Sequence, residues 1–152
     1  MNAVLLTLMQ HMRWADTLIA DALLDDAPRD AVRLFAHIAA VEHLWFARIQ
    51  GESPAIAVWP SLSLNEARGV AAEHADLFEK LVRAADDEAM SRRVHYRNSA
   101  GREFDSTVQD IVTHVAMHGS HHRGQILQCL RAAGREPPYV DFIQYTRRDQ
   151  LG

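Results

Sequence analysis

From Val4 to Leu24 apolar side chains return every three or four residues, at Leu5, Leu8, Met12, Ala15, Ile19 and Leu23. This spacing lines one face of an α-helix, whose period is about 3.6 residues, and cannot line one face of a strand, whose period is about 2. The pattern resumes after Pro28, which suits a first helical turn, and runs to about Gln50 with Leu34, His37, Ile38, Val41 and Trp45 on one face. Ser63-Leu-Asn-Glu66 has the form of a capping box and predicts a third helix to about Asp87. Ser106-Thr-Val-Gln109 predicts the start of a fourth, which Gly134 stops near Ala133, with Pro137 and Pro138 just beyond. Gly51, Pro54 and Pro60 mark residues 51–62 as a loop. Residues 91–105, centred on Asn98-Ser-Ala-Gly101, predict a short hairpin or an irregular crossover that must lean on the helices. Four amphipathic helices can hide their apolar faces only against one another. The expected fold is therefore all-α, a four-helix bundle with that hairpin or crossover before its last helix.

Composition sets the outer limits. With 152 residues, 48% of them apolar, the chain can bury one sizeable core, and residues 1–152 are expected to form a single domain. Sixteen Lys and Arg against twenty Asp and Glu leave a net charge of −4, so the basic excess of a nucleic-acid-binding surface is missing. No window approaches the roughly 18 uninterrupted apolar residues of a membrane span, and the N-terminus lacks the basic region and cleavage site of a signal peptide. One cysteine, Cys129, excludes a disulfide framework. Together these features lead us to expect a cytoplasmic protein with neither nucleic-acid nor membrane partners.

The histidines are the residues that ask for chemistry. Nine are present, and four of them, His114, His118, His121 and His122, fall within nine positions of the last helix. His114, His118 and His122 climb one helical face at intervals of four. Neighbours at that spacing can converge on one divalent ion, which imidazole nitrogen binds at about 2.0–2.1 Å. All three cannot, because the outer pair are about 12 Å apart along the axis. The helix thus offers one pair, His118 and His122, with His118 and His121 as a weaker variant. A third ligand must come from elsewhere. His37 is the best candidate, since it sits on the apolar face of the second helix, where an unpaired imidazole loses hydrogen bonds without return. The alternative for His37 is a hydrogen-bonded core histidine. A zinc-peptidase reading fails, because Gly119 stands where that motif needs its Glu base. Gly119 and Gly124 each cost about 1 kcal/mol relative to Ala inside a helix. They suggest either close approach by a helix or substrate, or ordinary tight packing.

At this point the residues match a family pattern. His118-Gly-Ser-His-His-Arg-Gly-Gln-Ile126 resembles the His-x-x-x-His-Arg-Gly-Gln-Ile signature of the DinB-like (DinB/YfiT, damage-inducible) superfamily. His37-Ile-Ala-Ala-Val-Glu-His-Leu-Trp45 is similar to its second-helix motif, Met12-Arg-Trp-Ala15 to its first-helix Trp-Ala segment, and Gly134 to Ile143 to its C-terminal Pro-Pro-x-x-Asp-Phe/Tyr segment. The resemblance implies a four-helix bundle, frequent homodimers and a three-histidine site for one divalent ion, nickel or zinc first, iron or manganese next. By motif position the ligands would be His37, His118 and His122, the trio reached from spacing. Where many members carry Tyr-Asn-x-Trp, this chain has His11-Met-Arg-Trp14, so any contact made by that Asn is missing. Members with assigned activities include thiol-dependent S-transferases and a maleylpyruvate isomerase, and the motif does not choose among them.

Other residues carry weaker expectations. His114 reads first as a partly exposed or core histidine, with lining the cavity or bonding a ligand as the alternative. His121 and His43 read as surface or interface residues, and Glu42, rotated away from a metal, as a salt-bridge residue or a support behind a ligand. Arg123 and Gln125 could orient a ligand, or pair with neighbouring helices. Cys129 reads as a small core residue, Trp14, Trp45 and Trp59 as core aromatics, and Tyr96 and Tyr139 as candidates to close the mouth of the site. The functional expectation is a metal-dependent thiol S-transferase or hydrolase acting on a small molecule, with a low-molecular-weight thiol as candidate cosubstrate. Its rival is a non-catalytic metal-binding stress-response dimer. A di-iron carboxylate bundle is excluded, because the chain has no Glu-x-x-His pair.

Overall fold

A computed structural model describes residues 2–150. Four long helices dominate: α1 (Ala3–Ala22), α2 (Arg29–Gln50), α3 (Leu64–Ala84) and, after a short α4 (Asp87–Ser91) and a hairpin of β1 (Arg93–Arg97) and β2 (Glu103–Thr107), α5 (Val108–Ala132). A short α6 (Phe142–Thr146) follows. The chain is mostly helical, as its periodicity predicts. Each of α1 and α2 packs against both α3 and α5, so the two helices that carry the candidate ligands, α2 and α5, are direct neighbours.

The helix ends follow local chemistry. Asn2 accepts the Leu5 amide at 3.1 Å and opens α1. Ser63 and Glu66 form a reciprocal capping box on α3. Gly51 closes α2 at φ 74°, a left-handed conformation that a side chain would disfavour. Gly134, at φ 71°, closes α5 with the Arg135 amide donating back to the Leu130 carbonyl at 2.9 Å. Two boundaries differ from expectation. The N-cap of α5 is Thr107, which accepts the Asp110 amide at 3.0 Å, and not Ser106. Ser106 instead lies within the β-ladder opposite Val94, its hydroxyl bonded to that of Tyr96. The third helix stops at Ala84 because Asp86 caps a new one by accepting the Ala89 amide.

Residues 93–107 form the hairpin rather than an irregular crossover, paired antiparallel from Arg93↔Thr107 to Arg97↔Glu103. Asn98 builds its turn by accepting the Ala100 and Arg102 amides at 3.0 Å each. The ribbon leans on α2, where Tyr96 meets Trp45 edge-on and Arg92 donates to the Ile49 carbonyl.

The core falls into two apolar clusters. One gathers Leu5, Met9, Met12, Phe78, Val94, Val112 and Val115, the other Ile19, Leu23, Phe35, Ile38, Ile126 and Leu130. Between them along the helices lies a buried charged layer: Asp16 after Met12, Glu42 after Ile38, and Arg123 before Ile126. The C-terminal segment packs on α1, where His11 Nε2 meets the Val140 carbonyl at 2.7 Å and the His11 ring lies against Phe142 and Tyr145. Among the described residues no helix is long and apolar enough to cross a membrane.

Candidate metal centre

His118 and His122 stand one turn apart on α5 and face His37 on α2. Their ring centroids are 4.4 Å apart, and they lie 5.0 and 4.7 Å from that of His37. One ligating nitrogen from each residue can be chosen so that all lie within 4.8 Å of one another. Three nitrogens at bonding distance from a shared ion sit about 3 Å apart, so small ring rotations bring the set to coordination. The three histidines can therefore hold a metal ion.

Hydrogen bonds aim these rings. His37 Nδ1 lies 2.7 Å from the Val58 carbonyl, which can only accept, so the proton is on Nδ1 and the Nε2 lone pair is free. His122 Nδ1 donates likewise to Gln125 Oε1 at 2.7 Å. Gln125 thus orients the ring of His122, one of the roles its position allowed. A carbonyl behind each imidazole raises its basicity and holds its orientation. Burial, reinforced by His122, His37, His114 and His121, pushes His118 down to about 3. Burial also lowers His37, against the opposing pull of the Val58 carbonyl. Both rings are thus neutral near pH 7, the form that binds metal.

The segment 51–62, which sequence marks only as a loop, supplies part of this arrangement. Trp59 stacks on His37 with centroids 3.8 Å apart and planes 6° from parallel, and the Arg33 guanidinium lies over the Trp59 ring, 4.8 Å from its centroid. Trp59 is exposed rather than a core aromatic. It borders a groove lined by Asp30, Arg33, Leu34, Gln125 and Cys129, so the half-buried thiol of Cys129 faces this groove. His114 is exposed and touches Trp45 and His118 with its ring, and His121 is exposed beside His122. Tyr96 packs on the hairpin side against Trp45, Phe104 and Arg48, and Tyr139 is exposed beside Pro137 and Pro138.

One expectation needs correction, and Arg123 takes the second of its two expected roles. His43 is not a free surface residue: it is half-buried and bonded to His74 and to the Ala55 amide. Arg123 is 1% exposed and donates to Asp16 at 2.7 Å, so it pairs with a neighbouring helix and does not reach toward a ligand. Beside it Glu42 is buried, and burial first, then the charge of Asp16, hold its carboxyl well above the usual range. With both carboxyls ionised, Asp16 Oδ2 and both Glu42 oxygens have no partner. A proton on Glu42 turns it into a donor to Asp16, and leaves one carboxylate balanced by one guanidinium. Sequence reading missed Asp16, although its position four residues after Met12, on the apolar face of α1, was a usable signal.

Gly119 has a local reason to be glycine. A Cβ there would lie 2.8 Å from Arg123 Nη1 and 3.3 Å from its Cζ, so the guanidinium folds back over the bare backbone to reach Asp16. The close approach is made by a side chain of the same helix and not by another helix or a substrate. At Gly124, by contrast, a Cβ would meet nothing within 4 Å. Gly119→Ala is expected to destabilise by about 1–3 kcal/mol, since overpacking displaces a buried ion pair. Gly124→Ala should stabilise by up to about 1 kcal/mol through helix propensity. Urea unfolding of the two variants checks this, and equal stabilisation of both would refute it.

Fold and site together define a class: a mostly helical protein in which three imidazoles from two adjacent helices converge on one point and can hold a metal ion. The DinB family model matches residues 1–150, and the chain belongs to the DinB family. No curated protein matches it.

Proposed function

We propose that this chain is a divalent-metal-binding DinB-family protein, with His37, His118 and His122 as the ligands of one ion. The convergence of their nitrogens is the observation that carries the reading. Nickel and zinc suit three imidazoles best, with iron or manganese next, and the affinity order means that supply as well as fit decides which is held. We take the four long helices as a four-helix bundle forming one domain over residues 1–152, assembled as a homodimer in the cytoplasm.

Three protein ligands leave coordination positions for water or substrate, which suits catalysis better than a closed structural site. An ion there would lower the pKa of a bound water or thiol, or polarise a carbonyl. The chain's own part is to hold His37 and His122 with Nδ1 protonated, to keep His118 neutral, and to offer the groove beside Trp59 and Cys129 to a small molecule. Among the described residues no carboxylate joins the three-histidine cluster. Thiol S-transfer, in which the thiol itself becomes the nucleophile, therefore fits better than hydrolysis that needs a protein base. The same lack of a base favours the second reading, a non-catalytic metal-binding stress-response dimer.

Elemental analysis of tag-free protein, purified without a metal column, tests the assignment. About one equivalent of metal is expected in wild type, and its loss in His118→Ala, which removes one of three protein ligands. Equal metal content in both proteins would remove His118 from the ligand set. Consumption of a low-molecular-weight thiol with an electrophile, dependent on the metal, then separates the enzyme from the binding protein.

A further inference from the structure

Residues 51–62 have no regular secondary structure after Gly51, yet they place the Val58 carbonyl and the Trp59 ring on His37. Something must hold this segment in register, and a chain of hydrogen bonds does so. The Ala55 amide donates to His43 Nε2 at 2.9 Å, so that nitrogen carries no proton. The ring proton of neutral His43 is then on Nδ1, which lies 3.2 Å from His74 Nε2. His74 accepts there, so its own proton is on Nδ1, which donates to the Val70 carbonyl at 2.8 Å. Only one tautomer of each ring satisfies every link. The chain runs in one direction, from the segment through α2 to the backbone of α3.

We propose that His43 and His74 are positioning residues for the three-histidine site, acting through the 51–62 segment on His37. The proposal rests on the reading of His37 as a ligand. Its logic is sequential: Ala55 is pinned by His43, Val58 is three residues further along, and the Val58 carbonyl selects the His37 tautomer that leaves Nε2 free. With the relay cut, the segment loses its anchor, and His37 can rotate and place its proton on either nitrogen. The relay requires both rings neutral, because a second proton on His43 would set two donors face to face at Ala55. Burial and His74 lower the pKa of His43, while Glu73 of α3 and Glu52 of the segment raise it. Beyond these, the relay's immediate neighbour is Phe46, whose ring meets His74 edge-on.

The test uses the full-length metal-free protein at pH 8, with imidazole nitrogens followed by long-range proton–nitrogen NMR correlation, and zinc affinity measured by chelator competition. Wild type should show His37, His43 and His74 each protonated on Nδ1 alone. His43→Phe should leave the protein folded, average the His37 tautomers and weaken zinc binding about tenfold, the usual effect of losing an orienting partner. His43→Gln, whose amide can accept from Ala55 and donate to His74, should restore most of both signals. Ala55→Pro removes the donor at an exposed position and provides the same cut should His43→Phe fail to fold. An unchanged His37 tautomer and zinc affinity in the folded relay variant overturns the proposal. Wild type that takes no zinc overturns the metal reading instead, while the His37 tautomer in the variants still decides whether the relay positions that ring.

Discussion

Arg123→Met is expected to destabilise the protein by about 3–5 kcal/mol, the cost of leaving a buried charge without its partner. Arg123 and Asp16 have side chains 2% and 5% exposed, and their 2.7 Å bridge joins α5 to α1 across 107 positions of sequence. Without the guanidinium, Asp16 is left in an apolar setting with only the Glu42 carboxyl beside it. The double variant Asp16→Asn with Arg123→Met removes the orphaned charge and should recover a large share of the loss, because contacting residues do not behave additively. Denaturant unfolding of the two singles and the double closes the cycle. Losses below about 1 kcal/mol in each single would place this pair among ordinary exposed salt bridges and contradict its burial. His122 adjoins Arg123, and His118 adjoins the glycine that admits its guanidinium, so the bridge ties α5 to α1 right beside both imidazoles.

Glu42→Gln is expected to raise stability at neutral and alkaline pH and to leave it almost unchanged near pH 5. The raised folded-state pKa means that the native protein holds a proton which the unfolded chain releases above the ordinary carboxylate value of 4.5. The fold therefore loses stability as pH rises from that value toward the raised one, by up to about 1.4 kcal/mol per pH unit. Gln cannot ionise and its amide can replace the donor to Asp16, so the variant lacks this slope. His118 and His37 act in the opposite sense: held neutral by burial, they favour the fold as pH rises toward 6.5. The difference between wild type and Glu42→Gln, measured by urea unfolding from pH 5 to 9, isolates the one carboxyl. Parallel curves would mean that Glu42 is ionised in the native state.

Much of the molecule is legible without its structure because the determining forces are local. Helix periodicity depends on residues three and four apart, and the caps at Ser63 and Gly134 depend on a single turn of backbone. The pairing of His118 with His122 follows from the same geometry, since i and i+4 share a face of any helix. His37 was legible as a polar residue on an apolar face. The one-residue error at the start of α5 has an equally local origin: Ser106 and Thr107 can both cap, and pairing with β1 holds Ser106 in the strand.

Tertiary structure decided what depends on partners distant in sequence. No local rule could tell that Arg123 turns inward, because its partner Asp16 is on another helix and the room for its guanidinium comes from the absent side chain of Gly119. The proton on Glu42 belongs to the same case, as a carboxyl's charge is set by the dielectric and charges around it. The tautomer of His37 is decided by a carbonyl 21 residues away, in a loop whose path no periodicity describes. Sequence alone thus determined the helices and the shared face of His118 and His122, through interactions within a turn or two, and marked His37 only as a polar residue on an apolar face. Which nitrogen each ring presents, and which charges lie beneath the site, were decided only when the chain packed, because hydrogen-bond direction and desolvation exist only between groups already brought together.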